Sequence, residues 1–428
     1  MAHDLPYTMS IYSDMSSREV STVDKLESVL SERLPECLQF LELLVSENSF
    51  TGNADGVNAN ADLIAARFKS LGFSERRVPC RDSDAGDHLI LDSGGTAPAI
   101  ACVSHLDTVF PSEEEKKNQF HWQREGDIAY GPGTYDIKGG TALLWLMFTA
   151  MAEVLPEVFG RFRWILLWNA AEERLVSDFF EVCQASLPES TEACLVFEGD
   201  NERSENFALI QSRKGMAKFR IRVEGRGGHA GNYHVNGANA IHQLARLVCR
   251  AEELTDYSRD LTVNVGVIRG GVVANRVPEE AEAVLEMRAY DPKLFEETRA
   301  KLLAFAGQGE VSARSDGHPC QITVTEITVM PPWELNEPTK QLVNTWREAG
   351  ASVGVTVHAG KRGGVSDANP IASRFPTLDG LGPRGGNPHV SAALADGKGR
   401  PEFVDISSFK PKALVNLLAL HQWNKIMR

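Results

Sequence analysis

Ala99-Ile100-Ala101-Cys102-Val103-Ser104-His105-Leu106-Asp107 is the stretch from which the rest of this chain can be read. Residues 99–103 are apolar without alternation, so a strand here is covered on both faces, as in a parallel sheet lying between helices. The run ends in a histidine and an aspartate, and the strand ends of an open α/β sheet are where such folds place their ligand cleft. Leu89 to Leu91, Phe162 to Trp168 and Ala193 to Phe197 are further strand candidates, the last two leading into Glu172-Glu173 and Glu198-Gly199-Asp200. Apolar positions recur every three to four residues from Ser21 to Leu44 and from Ala61 to Leu71, and a helical stretch, Thr141 to Val154, follows Gly139-Gly140. This alternation predicts an α/β fold, a mostly parallel sheet flanked by helices.

The middle of the chain has another period. Phe219, Ile221 and Val223 alternate with Arg220, Arg222 and Glu224, the pattern of a strand wetted on one face. A helix carrying Ile241, Leu244, Ala245 and Val248 follows, then strands at Leu261 to Ile268 and Ala281 to Tyr290, a helix from Pro292 to Phe305 and a strand from Gln321 to Ile327. The order β-α-β-β-α-β predicts a ferredoxin-like α+β domain inserted into the first. The expected boundaries are 1–210 and 328–428 for the two parts of the outer domain and 211–327 for the insert. Within the second part, helices are expected near Pro338 to Glu348 and from Pro411 to Met427.

With 428 residues, 43% of them hydrophobic, the chain can bury a large core. Its 58 acidic against 44 basic residues give a formal charge of −14 without long single-sign runs, which argues against nucleic acid or an anionic membrane as partner and for a small molecule. No apolar run approaches the ~20 residues of a membrane helix, and Met1-Ala2-His3-Asp4 does not open a signal peptide, so a cytoplasmic location is expected. The seven cysteines lack Cys-x-x-Cys spacing and read as reduced core residues.

The chemistry lies in the polar ends of the apolar runs. His105 and Asp107, two apart on an extended backbone, point to one side, so the imidazole can bind a metal while the carboxylate holds its far nitrogen. Asp136, at the centre of Gly131 to Gly140, can offer one oxygen to each of two cations about 3.5–4 Å apart. A phosphate cradle is the rival for this glycine-rich turn, but neither phosphate-binding glycine pattern is present. Adjacent glutamates at a strand end can diverge, Glu173 toward metal and Glu172 toward substrate as general base; a solvated surface pair is the plain alternative. Either acid of Glu198-Gly199-Asp200 could be a ligand, and Glu198 is preferred because it ends the apolar run at once. His389, in Gly385-Gly386-Asn387-Pro388-His389, completes a set of imidazoles and carboxylates without cysteine, which suits hydrolytic zinc, with glycines letting the loop take unusual backbone angles.

Taken together, these segments resemble the zinc-dependent family of aminoacylases, acetylornithine deacetylases, succinyl-diaminopimelate desuccinylases and glutamate carboxypeptidases. Ala129-Tyr130-Gly131-Pro132-Gly133 and Phe197-Glu198 are most similar to the glutamate carboxypeptidase branch. The likeness runs from about Leu38 to the C-terminus. It implies two Zn2+ ions, replaceable by Co2+ or Mn2+, held by His105, Asp136, Glu173, Glu198 and His389, with Glu172 as base and Asp107 beside His105. It also implies that the insert is a lid and dimerisation domain, so that the protein is a homodimer through it. Gly225-Arg226-Gly227-Gly228-His229-Ala230-Gly231 resembles a family segment whose histidine stabilises the oxyanion in a neighbouring active site. Asn275, within Gly270 to Pro278, and Arg288 match positions that grip the substrate carboxylate. Periodicity agrees for Arg288, since Ala283, Leu285 and Met287 share the opposite strand face. Gly364, within Lys361 to Asn369, matches a loop near the cleft.

The implied reaction is hydrolysis of a peptide or N-acyl amino acid bond beside a free carboxylate. A dipeptidase acting on free amines and a non-catalytic zinc- or ligand-binding protein are the alternatives. Departures from the family pattern fall after Glu173, where Arg174-Leu175-Val176-Ser177-Asp178 replaces a usual glycine and serine. They also fall after His389, where a usual nearby glutamate is missing and Asp396-Gly397-Lys398-Gly399-Arg400 is extra.

Overall fold

The computed structural model describes residues 9–176, 178–201, 206–393 and 399–427, with side chains from Thr22 onward. Met1 to Asp4 and most of the extra loop at 396–400 lie outside the described residues. The chain divides into two compact units, one running to Gln211 and including Asn336–Gly360 and Arg374 onward, the other comprising Ser212–Leu335 and Lys361–Ser373. The second unit thus includes 361–373, a segment that sequence alone joins to the outer domain.

The first unit is built on a six-stranded sheet in the order Ser74–Pro79, Asp87–Asp92, Arg163–Asn169, Ala99–His105, Thr191–Val196, Thr377–Leu378. Ala99–His105 runs parallel to both its neighbours and is buried at every position, as an uninterrupted apolar run requires. The sheet is mostly parallel but mixed, because Asp87–Asp92 runs antiparallel to both its neighbours. Ser74–Pro79, absent from the sequence-based strand set, is a charged edge strand, where polar side chains guard unpaired backbone.

Helices cover the sheet. Lys138–Val154 is buried along most of its length, and its start needs glycine: a Cβ on Gly140 would lie 2.1 Å from the carbonyl oxygen of Phe197. The ring of Phe148 on this helix meets Trp164 edge-on at 5.1 Å, and Phe68 meets Trp168 at 5.8 Å. Emptying a fully buried tryptophan site such as Trp164 costs on the order of 3–5 kcal/mol, so this aromatic layer anchors the strand ends above it. The second helix starts at Ala54, not Ala61; its cap is Asn53, whose side chain accepts the Gly56 N–H, while Asn60 is buried inside the helix. The remaining expected helices are observed at Glu337–Ser352 and Phe409–Ile426.

A small antiparallel sheet in the same unit pairs Phe403–Asp405 with Ile128–Tyr130 on one side and Gly385–Gly386 on the other. It therefore brings segments from the end of the chain beside the loop of Asp136.

The second unit has the ferredoxin-like order, with its antiparallel sheet running Thr262–Gly270, Glu280–Ala289, Gly215–Glu224, Pro319–Met330, Gly307–Ser312. Gly307–Ser312 is an added edge strand. Phe219, Ile221 and Val223 are buried while Arg220, Arg222 and Glu224 are exposed, so the period-two pattern fixes the faces. Helices Ala240–Glu252 and Pro292–Leu303 cover the apolar face, each capped by the side chain of the preceding residue, Asn239 or Asp291.

Candidate metal centre

His105, last in its strand, is buried and has both ring nitrogens engaged. Nδ1 lies 3.0 Å from the carbonyl oxygen of Asp107 and 3.4 Å from its Oδ1, and Nε2 lies 3.0 Å from Asp136 Oδ1. Asp107 is buried and fixes more than the ring. Its Oδ1 accepts the N–H of Glu172 at 3.1 Å, and its Oδ2 accepts the N–H of Glu173 at 3.2 Å and the hydroxyl of Thr51 at 2.7 Å. One carboxylate therefore sets the ring of His105 and the turn that carries both glutamates.

Asp136 presents its two oxygens to different histidines: Oδ1 to His105 Nε2, and Oδ2 to His389 Nε2 at 3.5 Å. His389 Nε2 also lies 3.1 Å from Glu173 Oε2, and Glu198 Oε1 is 3.9 Å from His105 Nε2. The structure thus brings His105, Asp136, Glu173, Glu198 and His389 together around one point. It also separates the acids of the Glu198-Gly199-Asp200 segment, because Asp200 is wholly buried, takes the ammonium of Lys412 at 2.7 Å and accepts the Ala208 N–H.

The loop of His389 differs from expectation in its backbone. Gly385 and Gly386 lie in a short strand, and the left-handed angles fall on Asn387 (φ 57°) and on His389 itself (φ 65°). A left-handed histidine is uncommon, and such conformations concentrate at functional sites.

Glu402 escaped sequence reasoning. It is fully buried, and its Oε1 accepts the consecutive N–H groups of Tyr135 (2.9 Å) and Asp136 (3.1 Å), while Oε2 has no partner among the described residues. The extra residues after His389 hid it; the signal available was Pro401-Glu402-Phe403-Val404, a glutamate entering an apolar strand.

The electrostatics are those of a cation site. Burial pushes Asp136 up, yet hydrogen bonds from His105 and His389 hold it far below the usual carboxylate range. His389 is raised to about 10 by its hydrogen bonds to Asp136 and Glu173. His105 is raised too, its carboxylate partners Asp107 and Asp136 outweighing a burial that works the other way. Burial first and repulsion from Asp136 second raise Glu173, and burial lifts Glu402 to about 8. Carboxylates crowded this closely need positive charge between them, and protons on the imidazoles provide it when no metal does. Oxygen and imidazole donors without sulfur suit hydrolytic zinc, and the ligand atoms of His105, Asp136 and Glu173 all lie within 4.8 Å of one another. The residues present fit a metal centre.

The second unit holds the other expected residues. His229 is exposed on a short strand paired with Arg276–Val277, and the Ala230 N–H donates to the carbonyl of the exposed Asn275. Its Nδ1 accepts the N–H groups of Gly231 and Asn232, both at 3.1 Å, so a neutral ring carries its proton on Nε2. Arg288 is engaged within the unit: Nε and Nη2 pair with Glu286 at 2.8 and 3.3 Å, and Nη1 donates to the Gly363 carbonyl at 3.2 Å. Gly364 is exposed, its carbonyl accepting from the buried Arg213 at 2.9 Å.

Comparison with known proteins agrees with this architecture. Residues 211–312 match a peptidase dimerisation domain. Carboxypeptidase G2 of Pseudomonas sp. (strain RS-16) is 27% identical over 383 residues, covering 88% of this chain and 87% of that protein. Acetylornithine deacetylase of Klebsiella pneumoniae (strain 342) is 23% identical over 317 residues, covering 70% and 78%. The chain is thus similar to M20 metallopeptidases over most of its length. Its fold is that of an M20 family metallo-carboxypeptidase from Sulfolobus solfataricus (TM-score 0.65, 15% identity, 90% of this chain and 99% of that one). An aminopeptidase from Bacillus cereus ATCC 10987 is similar too (TM-score 0.70, 18% identity, 91% and 98%). The relatives of this chain are carboxypeptidases and a deacetylase, which supports a hydrolase. None of its seven cysteines is in a disulfide, and among the described residues no helix is long and apolar enough to cross a membrane.

Proposed function

We propose that this protein is a dinuclear zinc amidohydrolase of the M20 metallopeptidase family that cleaves a peptide or N-acyl bond beside a free carboxylate. The observation that carries this reading is Asp136, one oxygen toward each of two imidazoles, beside a Glu172-Glu173 turn whose N–H groups are held by Asp107. His105, Asp136, Glu173, Glu198 and His389 would hold the ions, with Co2+ or Mn2+ as substitutes for Zn2+. Ions bound there polarise a scissile carbonyl and acidify water.

The chain's own residues do the rest. The carboxylate of Glu172 takes a proton from the attacking water and returns it to the leaving nitrogen, so the amine departs neutral. Asp107 keeps the ring of His105 turned toward Asp136. From the second unit, His229 donates its Nε2 proton to the developing oxyanion of a partner protomer's substrate. Such a donor lowers the barrier by about 3–4 kcal/mol. Asn275, Gly364 and Arg288 bind the substrate carboxylate, Arg288 by exchanging Glu286 for it. The peptidase dimerisation domain supports a homodimer, and cysteines outside any disulfide support a cytoplasmic location.

The test is a panel of N-acetyl, N-aroyl and free-amine substrates with the zinc-loaded full chain, alongside Glu172→Ala. The expectation is cleavage of acylated amino acids or peptides with a free carboxylate, and a variant that keeps its zinc but loses turnover. Preference for free-amine dipeptides would make it a dipeptidase. Zinc binding without hydrolysis of any of them would make it a binding protein.

A further inference from the structure

Four consecutive backbone N–H groups lead into the glutamate turn, and side chains take all four. Glu172 and Glu173 donate to Asp107, Ala171 donates to Asn169 Oδ1 at 3.0 Å, and Ala170 donates to His88 Nδ1 at 3.1 Å. His88 lies on the strand Asp87–Asp92 and is wholly buried. On the far side of the same ring, Nε2 lies 3.3 Å from Asp178 Oδ2, and Asp178 is the first residue of the helix that follows the turn. Asp178 is itself buried and held by the Arg81 N–H at 2.7 Å.

With Cys80, whose sulfur is 3.9 Å from Asp178 Oδ1, these residues have the composition of a metal site. The hydrogen bonding argues otherwise. A ring nitrogen that accepts a backbone N–H carries no proton, so the neutral ring must carry it on Nε2, the atom a cation would need. Burial, which pushes His88 below the ordinary histidine range, keeps the ring neutral.

We propose that His88 is a positioning residue, a clasp that ties Ala170 to Asp178 and so holds both ends of the segment carrying Glu172 and Glu173. A turn whose two ends are fixed presents its side chains in one geometry, and misplacing a catalytic group by about 1 Å costs on the order of 100-fold in rate.

The experiment compares the zinc-loaded full chain with His88→Leu, which loses both contacts, and His88→Asn, whose amide oxygen can still accept the Ala170 N–H. Amide hydrogen exchange at Ala170–Glu173 should rise about tenfold or more in His88→Leu and stay near the parent in His88→Asn. The kinetic arm rests on the proposed function: kcat should fall roughly 10- to 100-fold in His88→Leu, with KM within about twofold and zinc content intact, and largely recover in His88→Asn. Unchanged exchange or unchanged kcat in His88→Leu overturns the clasp, as does loss of one zinc equivalent in His88→Asn. Exchange is read without substrate, so it decides the clasp even if the parent hydrolyses no amide, the result that would instead sink the proposed function. Should His88→Leu not fold, imidazole nitrogen NMR of the parent decides: a proton on Nε2 of a neutral ring is required, and one on Nδ1 refutes the proposal.

Discussion

His105 and His389 face the same aspartate from opposite kinds of scaffold. The side chain of His105 is 1% exposed, at the end of a strand buried throughout, with Asp107 on one ring nitrogen and Asp136 on the other. That of His389 is 52% exposed, on a left-handed residue in a loop, and its Nε2 is shared between Asp136 and Glu173. The first imidazole is part of the core, so changing it should disturb packing and metal binding together. The second is added from outside the core, so its loss should be felt mainly at the site and less in the packing.

That difference can be broken or sharpened by substitution. The largest effect is expected from Glu172→Ala, which leaves both histidines in place: kcat should drop about 100- to 10,000-fold, the range of general acid–base catalysis, with zinc content and thermal midpoint unchanged. Retention of most activity would refute the base. Next, His105→Ala should lower both zinc content and, strongly, the melting temperature of the metal-free protein, while His389→Ala lowers zinc content and costs less in melting temperature. Equal thermal losses would erase the contrast. A smaller effect is expected from Glu402→Ala. Freeing the N–H groups of Tyr135 and Asp136 costs about 1–3 kcal/mol per buried group left unpaired, and zinc affinity should fall by roughly tenfold, measurable by competition with a chelator.

The smallest effect concerns pH. His389 is raised to about 10 in the folded state, so without metal it contributes stability that is fully present below its ordinary value of 6.5 and lost as pH rises toward 10. Thermal melts of the metal-free protein should therefore fall between pH 7 and 10, and this slope should vanish in His389→Ala. Zinc must displace the same protons, so its affinity should rise over that interval.

What the sequence disclosed follows the same division. His105, Glu172, Glu173 and Glu198 were legible because each ends or closely follows an apolar run, and the period of a strand dictates where its last side chain points. The ferredoxin-like insert was legible from alternation alone. Other features carry no periodic signal. Ser74–Pro79 is a strand because it pairs with Asp87–Asp92, and its own residues, half of them charged, say nothing of it. The helix start at Asn53 was obscured by Gly56 and Asn58, poor helix formers that tertiary contacts override. Glu402 reaches Asp136 through the pairing of Phe403–Asp405 with Ile128–Tyr130, a long-range contact behind an insertion. His88 sits in an apolar strand and reads as core until its two partners are seen.

The central claim is that His105, Asp136, Glu173, Glu198 and His389 surround a pair of metal ions. The most direct test is calorimetric titration of the metal-free full chain and its Asp136→Ala variant with zinc. The account predicts two equivalents per chain for the parent and loss of the high-affinity binding in the variant. A parent that takes up no zinc, or an Asp136→Ala chain that binds as the parent does, would contradict it.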